Sequence, residues 1–254
     1  MESILIIKNF LNKINISKYT YLIIFLCLIT GLIKELFIVS ILIIFHEFGH
    51  YLVSYIFNWN ISKINIYPFG GLIMFDDQID KPLYQEFLIT VSGPIFQWII
   101  FLIIFSFKKY LSSYFIDSLY NYHLYMFIFN LLPIIPLDGS KLMNIILNKL
   151  FSYKKSNILL YIISILLLIG FSIYYKNNYS YYFVISYLFY EIFTFIKQSN
   201  FMFYRFVYEK YLYRNNYKKT ILIDNINKMK RNKKHLIRDN NRYITEKEYI
   251  KKGV

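Results

Sequence analysis

Between Leu36 and Phe57 the one charged residue and both histidines fall in a single five-residue run, His46-Glu47-Phe48-Gly49-His50. The stretch is long enough to cross a bilayer, which takes about 20 mainly apolar residues. Ionisable groups at that depth are costly and by default mark a functional site. On a helix, His46 and His50 are four residues apart and share one face, with Glu47 beside them. Two imidazoles so placed hold a zinc ion, and the carboxylate supplies a general base for peptide hydrolysis. The plainer reading is two buried histidines bonded to helix carbonyls, with Glu47 paired to one of them.

The rest of the chain supports a membrane setting. It has 254 residues, 57% of them hydrophobic and 17% charged. Its apolar runs are continuous and separated by short basic loops, which predicts a polytopic membrane protein. No small-residue cleavage site follows the first basic residues, so the first apolar run is expected to be retained. Cys27, the single cysteine, excludes an internal disulfide and reads as a buried small hydrophobe. The chain lacks alanine, while Ile, Lys, Asn, Tyr and Phe abound. An AT-rich genome gives that bias, so the aromatic richness does not indicate a binding surface.

The predicted fold is an all-α polytopic membrane protein with six spans. They cover Tyr19–Leu32, Leu36–Phe57, Leu83–Phe107, Ile116–Pro136, Ile158–Tyr174 and Tyr181–Ile196. Lys8, Lys13 and Lys18 precede the first span, and Lys141, Lys149, Lys154 and Lys155 follow the fourth. From Arg205 onward there are 15 Lys or Arg against 5 Asp or Glu. With six spans these groups fall on one side, which the positive-inside rule makes cytoplasmic, both termini included. Lys108 and Lys109 dissent. All five prolines, and Gly49, Gly70, Gly71, Gly93 and Gly139, lie between the second span and the residues just after the fourth. Irregular backbone at membrane depth must be covered by protein or line a wet cavity, so this region is where chemistry is expected. Ile61–Phe75 is too short and broken for a crossing, and it alternates as a membrane-associated β-hairpin or re-entrant element would.

A catalytic zinc takes three protein ligands and keeps a fourth position open. Asp138, after Pro133 and Pro136 and before Gly139, is the candidate third ligand. Its alternative role is to cap the helix that follows.

The ordered set HEFGH, then PFGG at Pro68–Gly71, then VSGP at Val91–Pro94, then NLLPIIPLDG at Asn130–Gly139 resembles the site-2 protease family of intramembrane zinc metalloproteases. The pattern is most like the sporulation branch that processes pro-sigma-K, and it extends from about Ile16 to Tyr211. The resemblance implies one zinc per chain held by His46, His50 and Asp138, with Glu47 as catalytic base. It implies that Asn130 helps position substrate or transition state. Pro136 matches the proline before the ligand aspartate. Pro68, Phe69, Gly70 and Gly71 match a loop near the site. Ser92, Gly93 and Pro94 match a motif of close helix packing. Ser140 stands where that branch usually has a second glycine.

The expected activity is therefore zinc-dependent hydrolysis of a peptide bond in or near a membrane-associated segment of a substrate protein. The expected setting is the bacterial cell membrane. The analogy makes the substrate a pro-sigma factor or another membrane-tethered regulator. Membrane-protein regulators and a second copy of the chain are further candidate partners. The competing readings are a divalent-metal transporter and an inactive relative that only binds membrane proteins. Residues 1–197 are assigned to the protease domain and 198–254 to a basic cytoplasmic tail. The sporulation branch ends in a CBS domain, and this tail reads as a reduced remnant of one. It is expected to meet anionic lipids, at about 1 kcal/mol per basic residue near the surface. Nucleic acid is not expected, since no aromatic stacking module accompanies the charge. His123 is expected at the membrane interface and His235 in solvent. Glu86, Gln97 and Glu191, within apolar stretches, either line a wet cavity or pair with one another.

Overall fold

The computed structural model describes residues 2–67, 70–76, 79–174, 180–213, 217, 219–239 and 242–253. Pro68 and Phe69, which open the expected glycine-rich loop, lie outside the described residues. The chain forms two compact units, one of residues 1–77 with 87–130 and one of residues 78–86 with 131–254.

The first unit starts with helix α1 (Glu2–Lys13), strand β1 (Ile14–Ile16) and helix α2 (Lys18–Thr30). The Ser17 hydroxyl caps α2 by accepting the Thr20 N–H at 3.2 Å. Gly31 ends that helix with φ 78°, a left-handed conformation that costs glycine little. Helix α3 (Ile33–Ile56) carries the HEFGH run. Strands β2 (Ile61–Tyr67) and β3 (Gly70–Phe75) form an antiparallel hairpin, and β1 pairs in parallel with the other edge of β2. The hairpin was legible as alternation; the third strand was not. Helices α4 (Leu83–Ser106) and α5 (Ser113–Leu131) follow.

Polar bonds tie the sheet to the helices beside it. Lys13 Nζ donates to the Ile61 carbonyl at 2.6 Å, and Thr20 Oγ1 donates to the Ile66 carbonyl at 2.8 Å. Phe10, Tyr51, Ile61, Ile64 and Ile73 pack the sheet on α1 and α3. Ile38, Leu42, Ile100, Phe101 and Leu119 join α3, α4 and α5. Large apolar side chains such as Phe25, Ile29, Phe37, Leu102 and Ile103 point outward, while His46, Ser54, Gln97, His123 and Asn130 are buried. A hydrocarbon surrounding suits that distribution, because it imposes no penalty on the outer apolar face.

The second unit contains helices α6 (Asp138–Leu150), α7 (Tyr153–Tyr174) and α8 (Ser180–Leu212). Strands β4 (Thr220–Ile223), β5 (Lys234–Asp239) and β6 (Arg242–Thr245) make a second sheet in the order β4-β5-β6, and helix α9 (Glu246–Gly253) ends the chain. Tyr153, Phe206, Val207, Ile223, Met229, Ile237 and Ile250 form one core from α7, α8 and the tail. The tail is thus folded onto its helices, and α8 runs unbroken through position 197.

By length and composition α3, α4 and α7 reach a membrane crossing; the apolar stretch Thr20–Thr30 is shorter. At 1.5 Å per residue, the 24 residues of α3 or α4 extend about 36 Å, against a hydrocarbon core of about 30 Å. The molecule is mostly helical with two small sheets, so the all-α reading holds only for its helical majority.

A buried polar network fastens residues 79–86 to the tail. Lys210 Nζ lies 2.8 Å from Asp80 Oδ2, with side chains 4% and 1% exposed. Asp80 Oδ1 accepts the Asn232 N–H at 2.8 Å. Arg231 Nη1 lies 2.8 Å from Glu86 Oε2. Burial opposes the charge of Arg231, but the Glu86 and Asp80 carboxylates outweigh it and push its pKa up. Glu86 is therefore paired with an arginine rather than with Gln97 or Glu191. His235 corrects a second expectation. It is buried, pairs through Nδ1 with Glu246, and accepts the Lys230 N–H at 2.9 Å. The two-residue period of β5 explains this: Lys234 faces out, while His235 and Ile237 face in.

Candidate metal centre

Three groups on α3 converge: the imidazoles of His46 and His50 and the carboxylate of Glu47, all buried, with ligand atoms within 4.8 Å of one another. His50 Nε2 is 3.1 Å from His46 Nε2. The helical repeat produces this, because residues four apart stand one above the other.

The other nitrogen of each ring is held from outside the helix. His50 Nδ1 lies 2.6 Å from the Ile89 main-chain carbonyl of α4. A carbonyl only accepts, so His50 carries a proton on Nδ1, and its neutral form presents a lone pair at Nε2. His46 Nδ1 lies 3.3 Å from Gln97 Oε1, also on α4. Two Nε2 lone pairs facing each other at this distance favour a cation between them. This donor set could hold a divalent metal, and zinc suits two imidazoles with carboxylate company.

Glycines leave room for this cluster. A Cβ at Gly93 would fall on Nε2 of both His46 and His50. A Cβ at Gly49 would meet the Ser92 carbonyl at 2.6 Å and Phe96 Cβ at 2.8 Å, so α3 and α4 approach closely there. Glu47 reaches the hairpin, where its Oε1 accepts the Gly71 N–H at 3.1 Å.

Asn130 is buried near the end of α5. His123, two turns earlier on the same helix face, is fully buried inside the protein. Its ring stacks on Phe101 with centroids 4.2 Å apart and meets Trp98 edge-on at 4.6 Å. The sequence does not show its polar partner, Gln97 of α4, which makes its burial tolerable.

Asp138 belongs to the second unit and is the first residue of α6, buried, with Oδ1 2.9 Å from Lys141 Nζ. The N-cap position falls on Leu137, which makes no side-chain cap bond. Gly139 has a packing role: a Cβ there would collide with the Leu131 and Leu132 main chain. Ser140, the departure from double glycine, donates to the Leu137 carbonyl at 2.7 Å.

Sequence reasoning left Gln97 undecided and gave no role to the Gly71 amide or the Ile89 carbonyl. Gln97 had a signal: it is a lone amide in an apolar run, one turn beyond Gly93.

Comparison with known proteins agrees with this geometry. Residues 34–124 match the model of peptidase family M50. Stage IV sporulation protein FB of Bacillus subtilis is 29% identical over 147 residues, 57% of this chain and 51% of that protein. A zinc metalloprotease of Methanocaldococcus jannaschii is 30% identical over 119 residues, 45% of this chain and 34% of that protein. The chain thus spans about half the length, or less, of these curated relatives. The solved structure of a site-2 protease from Methanocaldococcus jannaschii superposes with a TM-score of 0.60 at 22% identity, covering 71% of this chain and 89% of that one. Residues 34–124 are thus similar to peptidase family M50, and the fold is that of a site-2 protease structure.

Proposed function

We propose that the protein is a zinc-dependent intramembrane endopeptidase that cuts a membrane-associated segment of another protein. One observation carries the reading: the two Nε2 lone pairs 3.1 Å apart, with Glu47 in the same buried cluster. When bound, zinc supplies Lewis acidity that activates water and polarises a scissile carbonyl. His46 and His50 would hold it, and Asp138 is the proposed third ligand, supported by its motif and its burial at the head of α6.

Glu47 accepts the proton of the attacking water and returns it to the leaving amine. Its bond to the Gly71 amide orients the carboxylate without consuming both oxygens. Asn130 donates to the developing oxyanion, a contact worth about 3 kcal/mol in comparable sites. A helical substrate hides its carbonyls and must unwind before attack. Strand β3 pairs with β2 alone among the described strands, so its other edge offers backbone groups to an extended segment.

The full reading places the chain in the membrane with six crossings, α2, α3, α4, α5, α7 and α8, and with both termini cytoplasmic. The substrate class is a membrane-tethered regulator such as a pro-sigma factor. The test is purified Glu47→Gln protein with a tagged single-span substrate. Zinc retained and cleavage lost is the expected result; undiminished cleavage overturns Glu47 as base. Asp138→Ala should lower bound zinc, and full occupancy would return Asp138 to a purely structural role.

A further inference from the structure

We infer that Gln97 is a positioning residue that sets the tautomer of His46, and that His123 locks Gln97 in the orientation this requires. The inference rests on the metal reading above and deepens it.

The donor and acceptor pattern leaves one assignment. Gln97 Nε2 is 3.0 Å from the His123 main-chain oxygen, which can only accept. The amide nitrogen must therefore face α5, and Oε1 must face His46 Nδ1 at 3.3 Å. An oxygen there accepts, so His46 keeps its proton on Nδ1 and its Nε2 lone pair faces His50. The flipped amide would set Oε1 against the His123 carbonyl and offer His46 a donor, which draws the lone pair to the wrong nitrogen.

His123 consumes the second amide hydrogen through Nδ1, 3.3 Å from Gln97 Nε2. That leaves His123 Nε2 buried with no hydrogen-bond partner among the described residues. An orphaned buried N–H is unfavourable, and phenylalanine would fill the slot between Phe101 and Trp98 without it. The histidine thus gives up stability for the acceptor that Nδ1 offers to Gln97. His50 needs no such device, because the Ile89 carbonyl fixes its tautomer directly.

The test uses the full chain in detergent, with zinc affinity measured by competition against a chromophoric chelator. Gln97→Leu should weaken zinc binding about 10- to 100-fold, the usual effect of losing such a partner. His123→Phe should weaken it about fivefold, one neutral hydrogen bond's worth, with thermal stability unchanged or raised. Nitrogen-15 spectra of metal-free protein should show His46 wholly protonated at Nδ1 in the wild type and mixed in Gln97→Leu, with His50 unaffected. Wild-type zinc binding matched by Gln97→Leu overturns the role of Gln97 and leaves the metal site standing. A wild type that binds no zinc overturns both. Should Gln97→Leu fail to fold, the wild-type spectrum decides, since His46 protonated at Nε2 contradicts the inference.

Discussion

Gly71 and Glu47 meet between the hairpin and α3: the Gly71 amide donates to Glu47 Oε1 at 3.1 Å, and a Cβ at Gly71 would collide with that carboxylate. Gly71→Ala should therefore displace Glu47 while leaving both imidazoles in place. Zinc content should remain at the wild-type level. Turnover of a single-span substrate should fall at least about tenfold, short of the roughly 10²–10⁴ that complete loss of general acid–base catalysis costs. Unchanged turnover would show that the carboxylate works without this contact.

Gly93→Ala should have the opposite signature. Its Cβ would lie on the Nε2 atoms of His46 and His50, so metal binding fails first and activity follows. Overpacking also costs about 1–3 kcal/mol of stability. Zinc analysis of the purified variant should give clearly substoichiometric metal, and a full complement would refute the role assigned to Gly93.

These two glycines show what was legible in the sequence and what was not. HEFGH could be read because the helical repeat brings residues four apart together without help from the rest of the chain. The Ile61–Phe75 hairpin was visible for the same local reason, an alternation with period two. Gln97 joins His46 across 51 positions and His123 across 26, and no local period encodes such a meeting. In a membrane chain apolar residues face outward as well as inward, so amphipathicity does not mark the inner face of α4 or α5. The tail misled differently. Its lysines suggested a solvated His235, but alternation in β5 sends His235 and Ile237 inward and Lys234 outward. Pairings of Asp80 with Lys210 and of Glu86 with Arg231 join segments over a hundred residues apart.

Alkaline pH should weaken the second unit through Tyr217. Its hydroxyl donates to the Asp80 carbonyl, and burial, with the Asp80 charge adding to it, pushes its pKa up from 10.0 to about 12. The folded chain thus favours the protonated phenol. Its contribution is complete below pH 10 and is lost as pH rises through about 12. Tm should fall more steeply over that window in the wild type than in Tyr217→Phe, which at neutral pH lacks two hydrogen bonds, to the Asp80 carbonyl and from Asn232 Nδ2, each worth about 1 kcal/mol. Parallel pH profiles of the two proteins would exclude Tyr217 as the titrating group.

Lys210 and Asp80 test what holds the tail to residues 79–86. Two charges this deeply buried are costly to remove from water, and their attraction offsets that cost only as a pair. Lys210→Met leaves the Asp80 carboxylate with the Asn232 N–H but without its ammonium, and should destabilise the fold by about 3–5 kcal/mol. Adding Asp80→Asn removes the stranded charge, so the double variant should recover most of the loss. Chemical unfolding of the four proteins in detergent gives the coupling directly. Additive single effects would mean that the two side chains are held in place independently, and that the apolar core around Phe206 and Met229 fixes the tail without them.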